Sequence, residues 1–381
     1  MKAVLAVIAA AALLAACKTQ AANTPEERMD RILTRQVENN SSPSVQYVIF
    51  DANRVIHEFR HGWADLKKRE KADDNTTYNA YSVTKTFTAL AVLQLAERKK
   101  IGLDRPVIEY LHDFPYPPGI TIRQLLSHSS GIPNPIPLSW IHPVGEHRGF
   151  DRDGFFQRIF RKHNLVKAKP NEKFAYSNLG YVLLGQLIER VSGQRYEEYI
   201  RENIFQPLAI LPGELGFEIA DAARHAKGYH KRFSFSYLLL GFFLDKAKYL
   251  RRTEGRWKAF EDFYVNGISY GGLIGTADAF VKYIRDLLRD DGRLLSADSK
   301  EMLFSENRTR TGKATGMCLS WFKGLLKGNR YFAHAGGGGG YYCELRIYPD
   351  LGLGSVVMFN RTGMTDKRFL SKLDTCFIEQ K

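Results

Sequence analysis

The hydrophobic period of this chain changes twice along its length, and that ordering limits the folds open to it. Near the start, SVQYVIF and RVIHEF are two β-rich runs joined by DAN, a hairpin signature. From Tyr78 to about Tyr264 most segments read helical, among them TIRQLLSHSSG, FFQRIFRKH, LGYVLLGQLIERVSG and RYEEYIRENIF; ADAFVKYIRDLLRDDG is one more helix. A period of two then returns in GMCLSWF, RYFAHAG, CELRIYP and GSVVMFN, broken by Gly and Pro turns. PEERMDRILTRQVE opens the folded part as a helix and KRFLSKLDTCFIEQ closes it as another. The expectation is an α/β (α+β) fold. Residues 25–80 and 264–381 share one antiparallel sheet flanked by helices, with a mainly helical domain, residues 81–263, inserted between them.

The leader MKAVLAVIAAAALLAAC has a basic start, an apolar run short for a bilayer, and then small residues. Residues 1–16 read as a secretory signal. The ending Leu14-Ala15-Ala16-Cys17 resembles a bacterial lipobox, with Cys17 lipidated and residues 17–24 a tether. The alternative is a plain signal peptide whose cleavage removes Cys17. A lipoprotein of this kind faces the periplasm, and Lys18, rather than Asp, favours the outer membrane. The net charge of +14 is spread along the chain. In an exported protein it implies a solvated basic surface, or anionic lipid or envelope polymer, rather than nucleic acid. Cys318, Cys343 and Cys376 allow at most one internal disulfide. The cysteines form no CxxC, and no metal or other cofactor is expected. The chain is expected to be a monomer.

The stretch YNAYSVTKTFTALAVLQLAERKK, Tyr78 to Lys100, is so apolar from Thr86 to Leu95 that it is a buried helix more than an amphipathic one, with Gly102 as its stop. Ser82 and Lys85 lie one turn apart at its N-terminal end. A buried lysine is costly unless it has a partner or a chemical role. Acyl transfer would supply that role, because a serine hydroxyl is a poor nucleophile until a base takes its proton. Lys85 serves if its pKa falls from about 10.4 to near 7. Burial, the positive end of the helix and a second cation all act in that direction. The alternative is a lysine that ties the helix start to nearby carbonyls. A second Ser-x-x-Lys, Ser320 to Lys323, falls in a strand-like run whose positions three apart face opposite ways.

Around Ser82 the chain resembles the serine β-lactamase and penicillin-binding-protein superfamily, whose nucleophile motif is Ser-x-x-Lys. It is most similar to the class C branch, which includes class C β-lactamases, D-Ala-D-Ala carboxypeptidases, D-aminopeptidases and family VIII esterases. The resemblance covers most of residues 25–375. It runs through the Ser82 block, TIRQLLSHSSGIPN, FAYSNLGYVLLGQLIERVSGQRYEEYIRENIFQPL, YGGLIGTADAFVKYIRDLLRDDGRLLS and YFAHAGG, in that order. It implies a β-lactamase/transpeptidase-like fold. The second motif, Tyr-x-Asn, falls on Tyr176-Ser177-Asn178; Tyr264-Val265-Asn266 lacks the flanking block. The resemblance gives Tyr176 a proton-transfer role shared with Lys85. Asn178 then meets the substrate or holds Lys85. The third motif departs: His334-Ala335-Gly336 stands where class C β-lactamases carry Lys-Thr-Gly, and a histidine is a weaker hook for a carboxylate. Gly336 keeps the strand bare, and the amides of Ser82 and Gly337 are the implied oxyanion hole. His128, in LLSHSSG, is expected to pack and hydrogen-bond rather than catalyse.

The resemblance thus implies a serine hydrolase acting through an acyl-enzyme on a small ester, amide or peptide. A carboxylic ester or D-amino-acid amide comes first. A D,D-carboxypeptidase or β-lactamase is the alternative, and a low-turnover penicillin-binding sensor is the alternative of another class. The aromatic, cation-flanked run Phe233 to Leu244 is longer and less polar than the family's usual chain here. It reads as an acyl-binding wall, a lip on lipid headgroups, or a buried helix or strand pair.

Overall fold

The computed structural model describes residues 24–234, 237, 241–242, 244–362 and 368–378. The leader, Cys17 and nearly all of the tether lie outside the described residues. So does about half of the Phe233–Leu244 run.

A seven-stranded antiparallel sheet joins the two ends of the chain. Its strands are β1 (Ser44–Asp51), β2 (Val55–Asp65), β3 (Glu70–Lys71), β4 (Phe322–Leu326), β5 (Asn329–Gly338), β6 (Tyr341–Tyr348) and β7 (Leu353–Phe359), in the order β4-β5-β6-β7-β1-β2-β3. β1 and β7 close the sheet in register, Val48 opposite Val356. The expected hairpin is β1–β2.

β1 is buried on both faces, so its alternation separates two cores rather than core from water. Val45, Tyr47 and Ile49 pack with Met29 and Leu33 of helix α1 (Pro25–Glu38) and with Leu370 and Leu373 of the C-terminal helix. Thr24 caps α1 in a reciprocal box with Glu27. On the other face, Val48 and Phe50 join a continuous core that reaches helix α2 (Thr84–Glu97), helix α3 (Asn178–Ser192) and helix α4 (Ala277–Leu288).

Several expected elements are shorter or different. Tyr78–Asn79 is a strand pairing with Ile274–Gly275, and Tyr81–Val83 is a 3-10 turn that precedes α2. α2 ends at Glu97, where Lys99 takes a left-handed φ of 55°, so the helix stops before Gly102. GMCLSWF is not a strand up to Phe322: Ser320 has a φ of 73° and sits in the bend before β4. In KRFLSKLDTCFIEQ the described helix is α5 (Leu370–Asp374) alone. Part of the region read as helical forms a three-stranded sheet, with Trp257–Phe260 between Tyr229–Lys231 and Leu250–Glu254. Tyr229, Trp257 and Ala259 alternate onto one buried face, where the Tyr229 hydroxyl accepts from the Leu66 amide; this packing favours extended chain.

Candidate active site

The turn Tyr81–Val83 that carries Ser82 is held from three directions. Tyr81 has a φ of 46°, unusual for a non-glycine residue and worth roughly 1–3 kcal/mol of strain. Its hydroxyl donates to the Gly339 carbonyl at 2.7 Å, and its own carbonyl accepts from Thr84 Oγ1 at 2.6 Å. Thr84 Oγ1 in turn accepts from the Leu273 amide. β5 closes against this turn because it is bare there. A Cβ on Gly336 would sit 2.0 Å from the Ala80 carbonyl oxygen and 2.7 Å from the Ser82 nitrogen, and one on Gly338 would strike the Tyr81 ring.

Ser82 is half-buried and lines a cleft. Lys85, from the first turn of α2, is fully buried beneath it. Its Nζ lies 3.1 Å from Ser82 Oγ and donates to the Tyr270 carbonyl at 2.7 Å. The rings of Tyr176, Tyr270 and Tyr181 surround it at 5.0, 5.2 and 5.5 Å from Nζ. Burial drives the Lys85 pKa well below the usual lysine value, with no carboxylate among the described residues opposing it. Burial raises that of the Tyr176 phenol, against a smaller opposite pull from the Ser82 hydroxyl. Both groups are thereby biased to their neutral forms: a free amine beside a protonated phenol.

Tyr176 reaches the cleft from the chain entering α3. His128 shapes that segment: its carbonyl accepts the Ala175 amide at 2.7 Å, and its Nδ1 accepts the Ser177 amide at 3.1 Å. Ser177 caps α3 through the Gly180 amide, which starts the helix at Asn178. Asn178 lines the cleft, and its buried Oδ1 has no partner among the described residues. It does not hold Lys85, whose Nζ is engaged by Ser82 and Tyr270.

His334 shares the Gly336 face of β5 but lies further in, 1% exposed. Its Nδ1 donates to the Ser320 carbonyl, and burial together with nearby Lys85 pushes its pKa down to about 3. It lines no cleft at the site, so in this conformation it offers no hook to a substrate carboxylate. Gly337, one residue past Gly336, lies on the walls of two clefts that also share Tyr176: one of about 250 Å³ containing Ser82 and Asn178, the other of about 610 Å³ on the Phe322 side.

The competing motifs are engaged elsewhere. Lys323 pairs with Glu306 at 3.1 Å, while the Tyr264 hydroxyl accepts from Ile219 and Asn266 Oδ1 meets His142. The cysteines Cys318, Cys343 and Cys376 are all free. Sequence reasoning missed Tyr270, whose carbonyl fixes Lys85, although it heads the block YGGLIGT. It also missed Tyr81, since nothing in the sequence announces its left-handed φ.

A family model described as Beta-lactamase matches residues 29–374. This chain belongs to the beta-lactamase family. The mixed α/β architecture described above is that family's. Penicillin-binding protein 4* of Bacillus subtilis (strain 168) is 28% identical over 305 residues, which cover 78% of this chain and 63% of that protein. Protein flp of Staphylococcus aureus (strain N315) is 30% identical over 203 residues, 50% of this chain and 38% of that protein. The chain thus spans less than two thirds of the length of these curated relatives. Among solved structures, the octameric penicillin-binding protein homologue from Pyrococcus abyssi superposes with a TM-score of 0.71 at 24% identity, covering 91% of this chain and 76% of that one. The D-amino acid amidase from Ochrobactrum anthropi SV3 complexed with D-phenylalanine gives 0.70 at 19% identity, covering 93% and 97%. At these identities the structural likeness establishes the fold alone.

Proposed function

We propose that this beta-lactamase family member is an envelope hydrolase of carboxylic esters or D-amino-acid amides, with Ser82 as the nucleophile. The observation that carries the reading is Lys85 Nζ 3.1 Å from Ser82 Oγ, buried without a counter-ion at the base of an open cleft. Lys85 takes the hydroxyl proton as Oγ bonds to the substrate carbonyl carbon. The Ser82 and Gly337 amides hold the oxyanion, each donor worth about 2.7–4 kcal/mol in comparable sites. Tyr176 gives its proton to the departing oxygen or nitrogen as that bond breaks, and the proton on Lys85 restores the phenol. Water then repeats the sequence on the acyl-enzyme and frees the acid. The opposite shifts at Lys85 and Tyr176 favour the amine as base and the phenol as acid.

Burial of His334 weighs against a carboxypeptidase, whose substrate ends in a carboxylate. Intact-mass analysis with a fluorophosphonate, a penicillin and a D-Ala-D-Ala peptide decides among the readings. A fluorophosphonate adduct lost in Ser82→Ala supports the mechanism. An adduct in both forms, or in neither, overturns it. A long-lived penicillin adduct without ester turnover points to a sensor.

The same proposal anchors the chain through a lipid on Cys17, supported by the lipobox-like leader. Phe233 and Phe242, 82% and 80% exposed, extend it to a membrane-facing lip: between Lys231 and Lys258 eight Lys and Arg accompany only Asp245 and Glu254. Flotation of the unlipidated protein with anionic vesicles tests the lip, and protein left at the bottom of the gradient removes it.

A further inference from the structure

The two clefts that meet at Tyr176 differ in what they touch. The smaller, about 250 Å³, contains Ser82, Asn178 and Tyr270; the larger shares with it only Tyr176 and the glycines of β5. A leaving group must reach the Tyr176 hydroxyl to take its proton, whereas the acyl group stays on Ser82. Ser82 lines only the smaller cleft, so on the proposed mechanism that cleft is the acyl arm, and the larger, which Tyr176 also lines, is the leaving-group arm.

No Lys, Arg, His, Asp or Glu lines the smaller arm among the described residues. Its polar side chains are few: the Tyr81 hydroxyl is held by the Gly339 carbonyl, and Asn178 Oδ1 is a neutral acceptor. Its far wall is apolar. Ile141 and Val265 are paired positions of a two-stranded sheet, and the Phe260 and Phe263 rings lie edge to face, 5.9 Å apart, at Gly339. Leu244, at the end of the aromatic run singled out in the sequence, completes that wall and is itself buried. A free α-ammonium group entering here loses its water and meets no carboxylate.

We propose that the acyl arm selects an uncharged, apolar acyl group, with Leu244, Phe260 and Phe263 setting its length, so that alkyl esters and N-capped amides are preferred over free D-amino-acid amides. This rests on the reading of Ser82 as nucleophile. Each methylene buried in the arm contributes about 0.8 kcal/mol, close to a fourfold gain in kcat/KM.

The test is a p-nitrophenyl ester series from acetate to dodecanoate, run beside D-phenylalanine amide and its N-acetyl form, with fluorophosphonate labelling of the wild type as control. kcat/KM is expected to climb about three- to fourfold per methylene, pass a maximum and fall once the arm is full. The N-acetyl amide should exceed the free amide at least tenfold. Leu244→Trp should move the maximum to shorter chains and Leu244→Ala to longer ones. Should Leu244→Trp not fold, Leu244→Ala and Phe263→Leu carry the same test in the lengthening direction. A series flat or falling from acetate, a preference for the free amine, or a maximum indifferent to these variants, with labelling intact, overturns the arm assignment alone. Absence of labelling overturns the mechanism and this proposal with it.

Discussion

The His128 ring lies 4.1 Å from the Tyr176 ring, tilted by 30°, and grips the next residue through its Nδ1. On the proposed mechanism His128 acts through Tyr176, as a positioning residue. His128→Phe keeps an aromatic ring but removes the acceptor for the Ser177 amide. The expected result is a kcat lowered by about tenfold or more with KM little changed, since small misplacements of a catalytic group are costly. His128→Asn, which retains an acceptor, should recover part of the loss. Equal loss in both, tracking thermal stability, would mean that His128 is only structural.

The pH–rate profile should follow Lys85. Burial lowers its pKa, so the neutral base accumulates as pH rises through a value below the ordinary lysine one of about 10.4. kcat/KM should climb on that limb. It should decline only where Tyr176 ionises, above the usual tyrosine range. His334, at about 3, does not supply the limb, so it should persist in His334→Gln. Steady-state kinetics of both forms checks this; a limb that vanishes with the histidine contradicts it.

Lys85 should also leave a mark on stability. The unfolded lysine keeps its proton up to about pH 10.4, while the folded one gives it up earlier, so the unfolded state binds more protons between the two values. Stability therefore rises with pH across that window, by at most about 1.4 kcal/mol per pH unit for one proton. The difference in urea-unfolding free energy between wild type and Lys85→Met isolates this dependence. A difference that does not change with pH means that Lys85 is charged in the fold.

Gly336→Ala should displace the nucleophile turn, because its Cβ would stand 2.0 Å from the Ala80 oxygen. A loss of about 100-fold in kcat/KM is expected. Gly337→Ala, whose nearest contact would be 3.6 Å away at Tyr342, should fold normally. Kinetics and thermal melts of the pair separate an active-site effect from a folding defect. A fully active Gly336→Ala would show that β5 does not press on the turn.

Asp374 accepts hydrogen bonds from Tyr47, Tyr348 and Ser355 at 2.8–3.0 Å and lies 3.8 Å from the wholly buried Arg346. Asp374→Ala leaves Arg346 short of a counter-charge and should destabilise the protein by about 3–5 kcal/mol in urea unfolding. The folded fraction should keep its kcat, because this cluster ties α5 to the sheet away from Ser82. A change below about 1 kcal/mol would make the cluster incidental.

The Ser82–Lys85 pairing was legible because the local rules agree there: an oily run, a polar end and helical spacing put the two residues on one rung. The sheet shared by both ends was legible from the return of a two-residue period in β5, β6 and β7. The strands between Tyr229 and Phe260 were not, since their extended form comes from packing on Leu66 and its neighbours. The third motif shows the same limit. HAG reads as a surface hook by analogy, but the pleat turns the His334 ring inward to the Ser320 carbonyl.

Residue order alone thus carried the α/β class and the Ser82–Lys85 rung, because period and spacing act locally, while the fold family and the bare glycines beside the rung came from the resemblance of ordered blocks. Three-dimensional packing was needed to leave Lys85 without a counter-ion, to seal His334 in, and to divide the cleft at Tyr176. Burial, and with it the charge state of each group, depends on which distant segments meet.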